Sequence, residues 1–296
     1  MEKNNAKILL EQTQLKIPSD TIGIDIGQSL TKISYQKDNE IVLNIGDTNP
    51  KEIDEFLDKN KNTFSKINFT GGRAYELYNQ YSNIYITKLI NEFESNTRGL
   101  EFLYEFYKKK TLPPSLIVTI GTGTSIVLKR DKIEHLGGSA MGGGFFMGLI
   151  NSLFTESSMD YEKAMHLASK GNRFEVDLKV GDIYDIEDDR VTRLFREFTA
   201  ASFGKIENTS DFNSIKKDHI ISSLIAVIGE NLGTIATLMA ENQNIKNIIF
   251  CGGFLIGNKP LKQILSLLCK FKGIKAQFIN NSVFSGALGA LLSEIN

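Results

Sequence analysis

Three separate runs of apolar, mostly β-branched residues end in glycines and small hydroxyl side chains, and this recurrence constrains the fold more than any other feature. The runs read IGIDIGQSLTK at residues 22–32, LIVTIGTGTSIVL at 116–128 and IIFCGGF at 248–254. A fourth glycine cluster, GGSAMGGGFFMG, occupies 137–148. Each apolar run suits a buried strand and each glycine cluster a tight turn. Without a Cβ, glycine lets backbone N–H groups crowd around an anion. One such turn is commonplace. Several, at strand ends along one chain, suggest a phosphate-binding cleft built from two halves.

Between these landmarks the patterning gives an α/β order. Residues 22–35 read as two strands joined at 27–29, with a third at 40–45, a short helix at 53–60 and strands at 66–70 and 85–89. A long helix, 93–110, ends before Pro113 and Pro114, which break it. Strands follow at 116–120, 125–129 and 133–136, then helices at 145–154 and 161–169. A long apolar-rich helix covers 222–240, followed by a strand at 248–251, a helix at 261–271, a strand at 276–279 and a last helix at 285–293. Three units are expected: a polar, helix-like N-terminal extension (1–20), a first subdomain (21–114) and a second (115–296) carrying the second glycine turn and the long helix. Both subdomains share a strand, a glycine turn and a returning strand, the mark of a duplication.

Composition excludes several classes. With 296 residues and a formal net charge of −1, no general pull toward nucleic acid or anionic membrane is expected. Two cysteines, Cys251 and Cys269, argue against a disulfide framework and fit a reducing cytosol. Cys251, at the end of a buried strand, reads as a core thiol. The three histidines are scattered, so no Cys/His cluster has metal-ligand spacing. The N-terminus lacks a signal-peptide core, and no run of about 20 apolar residues marks a membrane span. A cytoplasmic location is the expectation.

The glycine turns carry the chemistry. In DIGQSLTK, Asp25 closes a strand, Gly27 makes the turn, and Ser29 and Lys32 follow. A carboxylate beside a phosphate turn can hold Mg2+, directly or through water. A lysine a few residues on can pair with β- and γ-phosphate oxygens. The plain alternative is a hairpin whose Asp caps the turn. The segment is neither a Walker A loop nor a dinucleotide fingerprint, because GK[ST] is missing and strand returns to strand. IGTGTS gathers Gly121, Thr122, Gly123, Thr124 and Ser125, donors suited to a triphosphate; a polar hairpin is its alternative. The cluster at 137–148 leads into an apolar run that argues for an ordered helix start, whose N-terminus is an anion site.

Taken in order, GIDIGQSLTKI, FTGGRA, INEFESNTRGL, IGTGTS, GGSAMGGG, DLKVGDIY, ASFGKI, CGGF and FSGALGAL resemble the type II pantothenate kinases. The resemblance runs from residue 22 to about 292. It implies a two-domain actin-like ATPase fold, a duplicated ribonuclease H-like α/β architecture with a nucleotide cleft between the domains. It further implies ATP with Mg2+, phosphorylation of the primary hydroxyl of pantothenate as the first step of coenzyme A biosynthesis, a homodimer paired through the long helix, and an acyl-CoA feedback ligand. Glu92 sits where the family keeps its general base; a carboxylate at a weakly nucleophilic alcohol aligns it and accepts its proton. A helix N-terminal carboxylate favoured by the macrodipole is the alternative for Glu92. Asp25, Gly27, Gln28, Ser29 and Lys32 match the first phosphate turn, with Asp25 as the metal ligand and Lys32 also catalytic. Gly121, Thr122, Gly123 and Thr124 match the second. Gly142, Gly143 and Gly144 match a nucleotide-side glycine run, and Gly252 and Gly253 a third approach to the nucleotide. Ser125, His135, Gly137 and Arg98 are the implied substrate contacts.

Two departures from the family pattern affect substrate and nucleotide. His135 occupies the place of an arginine that holds the pantothenate carboxylate, and imidazole lacks the charged bidentate fork. A related alcohol without a carboxylate, such as pantetheine, is the alternative acceptor, unless Arg98, Arg73 or a backbone donor supplies the contact. The first turn reads GQS where the family reads GGT, so Gln28 adds bulk and requires a backbone conformation open to side chains. A non-catalytic nucleotide- or acyl-CoA-binding regulator is the third reading, opposed by the retention of Asp25, Lys32 and Glu92.

Overall fold

The computed structural model describes residues 5–10, 17–155, 159–193, 195–206 and 215–294. Its first sheet comprises β1 (Ala6–Leu9), β2 (Thr21–Ile26), β3 (Leu30–Lys37), β4 (Glu40–Asp47), β5 (Lys66–Thr70) and β6 (Ile86–Leu89). Helices α1 (Pro50–Lys59) and α2 (Ala74–Tyr81) connect its later strands, and α3 (Glu92–Lys108) leads away from it. The second sheet contains β7 (Ser115–Ile120), β8 (Thr124–Lys129) and β9 (Ile133–Ser139). Next come α4 (Gly143–Leu153), α5 (Tyr161–Lys170), the short strands β10 (Leu178–Lys179) and β11 (Thr199–Ala201), and α6 (Lys217–Asn242). Strand β12 (Asn247–Cys251), α7 (Lys259–Phe271), β13 (Lys275–Gln277) and α8 (Ser285–Leu291) complete the chain.

The two sheets repeat one topology. Their orders are β1-β4-β3-β2-β5-β6 and β13-β12-β7-β8-β9. Apart from β1, each has an antiparallel meander of three strands followed by two strands parallel to the first. This is the duplicated ribonuclease H-like order expected from the recurring strand–turn–strand pattern. Alternation sorts each strand's faces. Ile22, Ile24 and Ile26 pack outward with Ile53, Leu57 and Leu77 of α1 and α2. Val118, Ile120 and Ile126 pack outward with residues of α4 to α7. The inner faces close on a shared layer. There Leu100 and Leu103 of α3 and Leu288 and Leu291 of α8 join Ile41, Leu43 and Ile45 of the first sheet and Ile117, Val127 and Ile249 of the second.

Several expectations change. Residues 6–9 of the polar extension form an edge strand antiparallel to β4, not a helix, and bury Ile8. Residues 1–4 and 11–16 of that segment lie outside the described residues. Helix α2 is absent from the sequence reading, although Ala74, Leu77 and Tyr81 bury one face at helical spacing. The 115–296 unit is not self-contained, since α8 returns to the first sheet: the Ser34 hydroxyl and Asn68 side-chain amide donate to its carbonyls at Ala287 and Ala290. Helix α6 is long and apolar enough to cross a bilayer, but most of its apolar window is buried within this chain. Gly229 and Gly233 admit α7 side chains: a Cβ on Gly229 would lie 3.0 Å from Leu261 Cδ1, and one on Gly233 2.5 Å from Leu268 Cδ1. Much of the face expected to pair two protomers therefore packs internally.

Candidate active site

Asp25 and Lys32 are register partners on β2 and β3, so their side chains share the inner face. Lys32 Nζ donates to Asp25 Oδ2 at 3.1 Å, and both side chains are largely covered. Small residues make room for the carboxylate. A Cβ on Gly71 would lie 2.5 Å from Asp25 Oδ1, and one on Gly286 would lie 2.7 Å from Oδ2. Gly71 also has φ +95°, a conformation that favours glycine.

The first two turns face each other across the halves. Ser29 Oγ and Thr122 Oγ1 are 3.1 Å apart. In each turn the carbonyls are pinned from behind. Thr48 donates its hydroxyl to Gly27 O at 2.9 Å and its N–H to Ser29 O at 3.0 Å. Gly143 N and Gly144 N donate to Gly121 O and Thr122 O at 2.7 and 2.9 Å. The amides of Gln28, Ser29, Thr122 and Gly123 donate to no described backbone carbonyl. They form the donor set an oligophosphate requires. A Cβ on Gly27 would sit 3.5 Å from Lys32 Nζ, so the ammonium stands directly over the first turn. Among the described residues no group of three or more His, Cys, Asp or Glu could cage a metal. Asp25 beside the turns instead suits Mg2+, which is typically carried in by phosphates and held by one or two carboxylates.

The start of α4 is a correction. The sequence suggests an anion site there, but the Gly143 and Gly144 amides are committed to the second turn because its carbonyls need donors. Gly142 is required beneath that turn, where a Cβ would lie 2.7 Å from both Gly121 O and Thr122 O. These three glycines brace the turn. Gly252, at φ +106°, packs on the end of β7, and a Cβ on Gly253 would touch Leu30 Cδ1 at 2.9 Å. The third turn thus adjoins the first. Gln28 is not among the positive-φ residues, so the GQS turn accommodates its side chain without strain.

Glu92 opens α3, capped by Asn91, whose side chain accepts from Phe93 N and Glu94 N. The Glu92 carboxyl reaches solvent across the cleft while protein crowds it from behind. Desolvation raises its pKa, Asp25 adds to the rise and Lys32 opposes it. His135 lies on β9, its ring stacked on Phe93 with centroids 4.4 Å apart and planes 9° from parallel. It therefore stands beside the turn that carries Glu92. Ser125 pairs in register with Thr119 and Gly138, which places it on the inner face. Gly137 belongs to β9, longer than expected, at φ +142°. Arg98 is the second correction: Nη1 donates to Leu292 O at 3.0 Å, so the guanidinium secures the end of α8 instead of facing an acceptor.

Sequence reasoning missed Thr48, Gly71 and Gly286, although FTGGRA and FSGALGAL displayed the two glycines. It also missed Asn96, which links Thr119, Cys251 and Ser285. Cys251 is fully buried, and burial pushes its thiol pKa up, as a core thiol requires.

Comparison with known proteins identifies the family and the fold. The Fumble family model matches residues 49–293. A type II pantothenate kinase of Oceanobacillus iheyensis is 34% identical over 276 residues, covering 92% of this chain and 99% of that protein. One from Bacillus anthracis is 33% identical over 281 residues, covering 93% and 98%. Among solved structures, an activator of 2-hydroxyisocaproyl-CoA dehydratase from Clostridium difficile with bound ADPNP aligns with TM-score 0.59 at 15% identity, covering 92% of this chain and 93% of that one. A ROK family glucokinase from Streptomyces griseus with glucose and AMPPNP aligns with TM-score 0.56 at 12% identity, covering 92% and 97%. At such low identity these two establish the fold alone, the duplicated actin-like architecture. The extent and identity of the sequence matches establish that the chain belongs to the type II pantothenate kinase family.

Proposed function

We propose that the protein transfers the γ-phosphoryl group of ATP to the primary hydroxyl of pantothenate. The observation that carries this reading is the convergence of two open glycine turns, Ser29 Oγ 3.1 Å from Thr122 Oγ1, with the Asp25–Lys32 pair, near enough to the exposed Glu92 carboxylate for both charges to act on it. ATP with Mg2+ supplies the transferred group and the charge that neutralises it. The amides of Gln28, Ser29, Thr122 and Gly123 would hold phosphate oxygens, Lys32 would offset their charge, and Asp25 would take the metal. Glu92 aligns the acceptor hydroxyl and removes its proton as its oxygen bonds to the γ-phosphorus and the bond from that phosphorus to the β,γ-bridging oxygen breaks, releasing ADP. His135 and Phe93 flank the acceptor, with Ser125 beneath it. The test is ATP turnover with pantothenate, pantetheine and simple sugars. Turnover with pantothenate is expected; turnover with sugars alone would overturn the assignment.

One observation favours a second acceptor. The His135 ring offers a flat face against Phe93 and no guanidinium fork, which suits a neutral amide such as pantetheine as well as a carboxylate. A wild-type preference for pantetheine in the same panel would select it. A homodimer and acyl-CoA feedback belong to the same reading. Light scattering showing a monomer, or turnover indifferent to added acyl-CoA, would remove either one.

A further inference from the structure

Glu92 and Asn96 are one helical turn apart and share a face of α3. The Asn96 side chain meets three other elements that build the site. Its Nδ2 donates to Thr119 Oγ1 at 2.8 Å and approaches Cys251 Sγ at 3.8 Å. Its Oδ1 accepts from the Ser285 hydroxyl, at the first residue of α8. Thr119 Oγ1 and Cys251 Sγ are themselves 3.3 Å apart. Thr119 stands two residues before Gly121, and Cys251 immediately precedes Gly252. Ser285 immediately precedes Gly286, against which Asp25 rests.

The arrangement has a mechanical consequence. Helix α3 is already locked to α8 by close backbone approach: the Ser95 hydroxyl donates to Gly286 O at 2.6 Å, and Cβ atoms on Gly99 or Gly289 would clash with the facing backbone. Contact with the second sheet is made by side chains: Phe93 stacks on His135 of β9 at the sheet's edge, and Asn96 reaches the strands that feed the turns. There, at the turn that carries Glu92, the link from α3 to the ends of β7 and β12 is the Asn96 amide. A planar amide offers an acceptor on one side and donors on the other, so one side chain can hold both neighbours at fixed separation. A half-buried polar residue with a purely structural role would need partners, but they need not be the strand ends that feed two glycine turns.

We propose that Asn96 is a positioning residue that couples occupancy of the second and third glycine turns to the placement of Glu92. Phosphates settling on the turns shift the ends of β7 and β12, and Thr119 and Cys251 pass that shift through the amide to the first turn of α3. The kinetic part of this inference rests on Glu92 being the base; the mechanical part needs only that nucleotide binds the turns.

The test uses the full chain as wild type, Asn96→Leu, Thr119→Val and Tyr81→Phe. The last removes a remote hydrogen bond, Tyr81 to Asp54 at 2.5 Å, and controls for general loss of stability. Hydrogen exchange is followed with and without Mg·AMPPNP, alongside steady-state kinetics. Nucleotide should slow exchange at residues 120–124 and 252–254 in all four proteins. It should slow exchange at residues 93–96 in the wild type and Tyr81→Phe but not in Asn96→Leu or Thr119→Val. The kcat of Asn96→Leu should fall by roughly tenfold to a hundredfold, the cost of displacing a reacting group by up to about 1 Å, with the KM for ATP near its wild-type value. Retained coupling at 93–96 in both variants, or its absence in the wild type while the turns are protected, overturns the proposal. Turns left unprotected in every protein would instead refute the nucleotide-cleft reading. An unaltered kcat in Glu92→Gln would refute the base assignment while the exchange data still decide the coupling.

Discussion

Gly286→Ala probes the contact that holds Asp25 in place. A Cβ there would lie 2.7 Å from Asp25 Oδ2 and 2.9 Å from its Cγ, against an ordinary contact distance of 3.4 Å or more. The carboxylate or the helix must therefore give by about 0.7 Å. Helix α8 has little room to retreat, because Gly289 abuts the Ser95 backbone and Ala287 abuts Gly23. Most of the shift should fall on Asp25 and its Lys32 partner. Overpacking a tight core costs about 1–3 kcal/mol. Exchanging glycine for alanine in a helix returns about 1 kcal/mol of that. The net loss of up to about 2 kcal/mol should lower Tm by several degrees, at about 2–4 °C per kcal/mol for a chain of this size class. If Asp25 holds the metal as proposed, a shift of this size should cost roughly 10- to 100-fold in kcat. The assay is coupled ADP release together with calorimetric melting. Gly148→Ala is the control: its Cβ would meet nothing within 4 Å, and it should gain about 0.4–1 kcal/mol with kcat unchanged. Wild-type kcat and Tm in Gly286→Ala would refute the claim that α8 fixes Asp25.

Two further predictions concern the acceptor side. Desolvation and the neighbouring Asp25 raise the Glu92 pKa above its ordinary 4.5, with Lys32 opposing, so kcat/KM should be lost on acidification at a higher pH than an ordinary carboxylate would give. His135→Arg should lower the KM for pantothenate by roughly 10- to 150-fold, the worth of about 1.5–3 kcal/mol in a charge-assisted bond, with little change for pantetheine. Arginine can keep the stack on Phe93. Equal, tight pantothenate binding in both proteins would show that another donor holds the carboxylate.

The strand–turn–strand repeats were legible because a buried strand and its glycine turn are local, and each half repeated them. Asp25, Lys32 and the open turns follow from that grammar. What escaped depends on partners far away in sequence. The Gly143 and Gly144 amides look like an anion site until the second turn, some twenty residues earlier, is seen to claim them. Arg98 looks like an available cation until Leu292 O is brought against it by α8. The SGALGAL segment reads as a small-residue helix, but only packing shows that its glycines admit Asp25 on one side and Ser95 on the other. The edge strand at 6–9 is only four residues long and sits in a polar segment, so its pairing with β4, not a pattern of its own, determines its form.

The central claim is that Glu92 removes the proton from the acceptor hydroxyl in a cleft whose turns hold the nucleotide independently of it. Measuring kcat and Mg·ATP affinity in Glu92→Gln tests it most directly. The account predicts a kcat lower by about 10²- to 10⁴-fold with nucleotide affinity essentially retained. An unchanged kcat in a folded Glu92→Gln protein would contradict it.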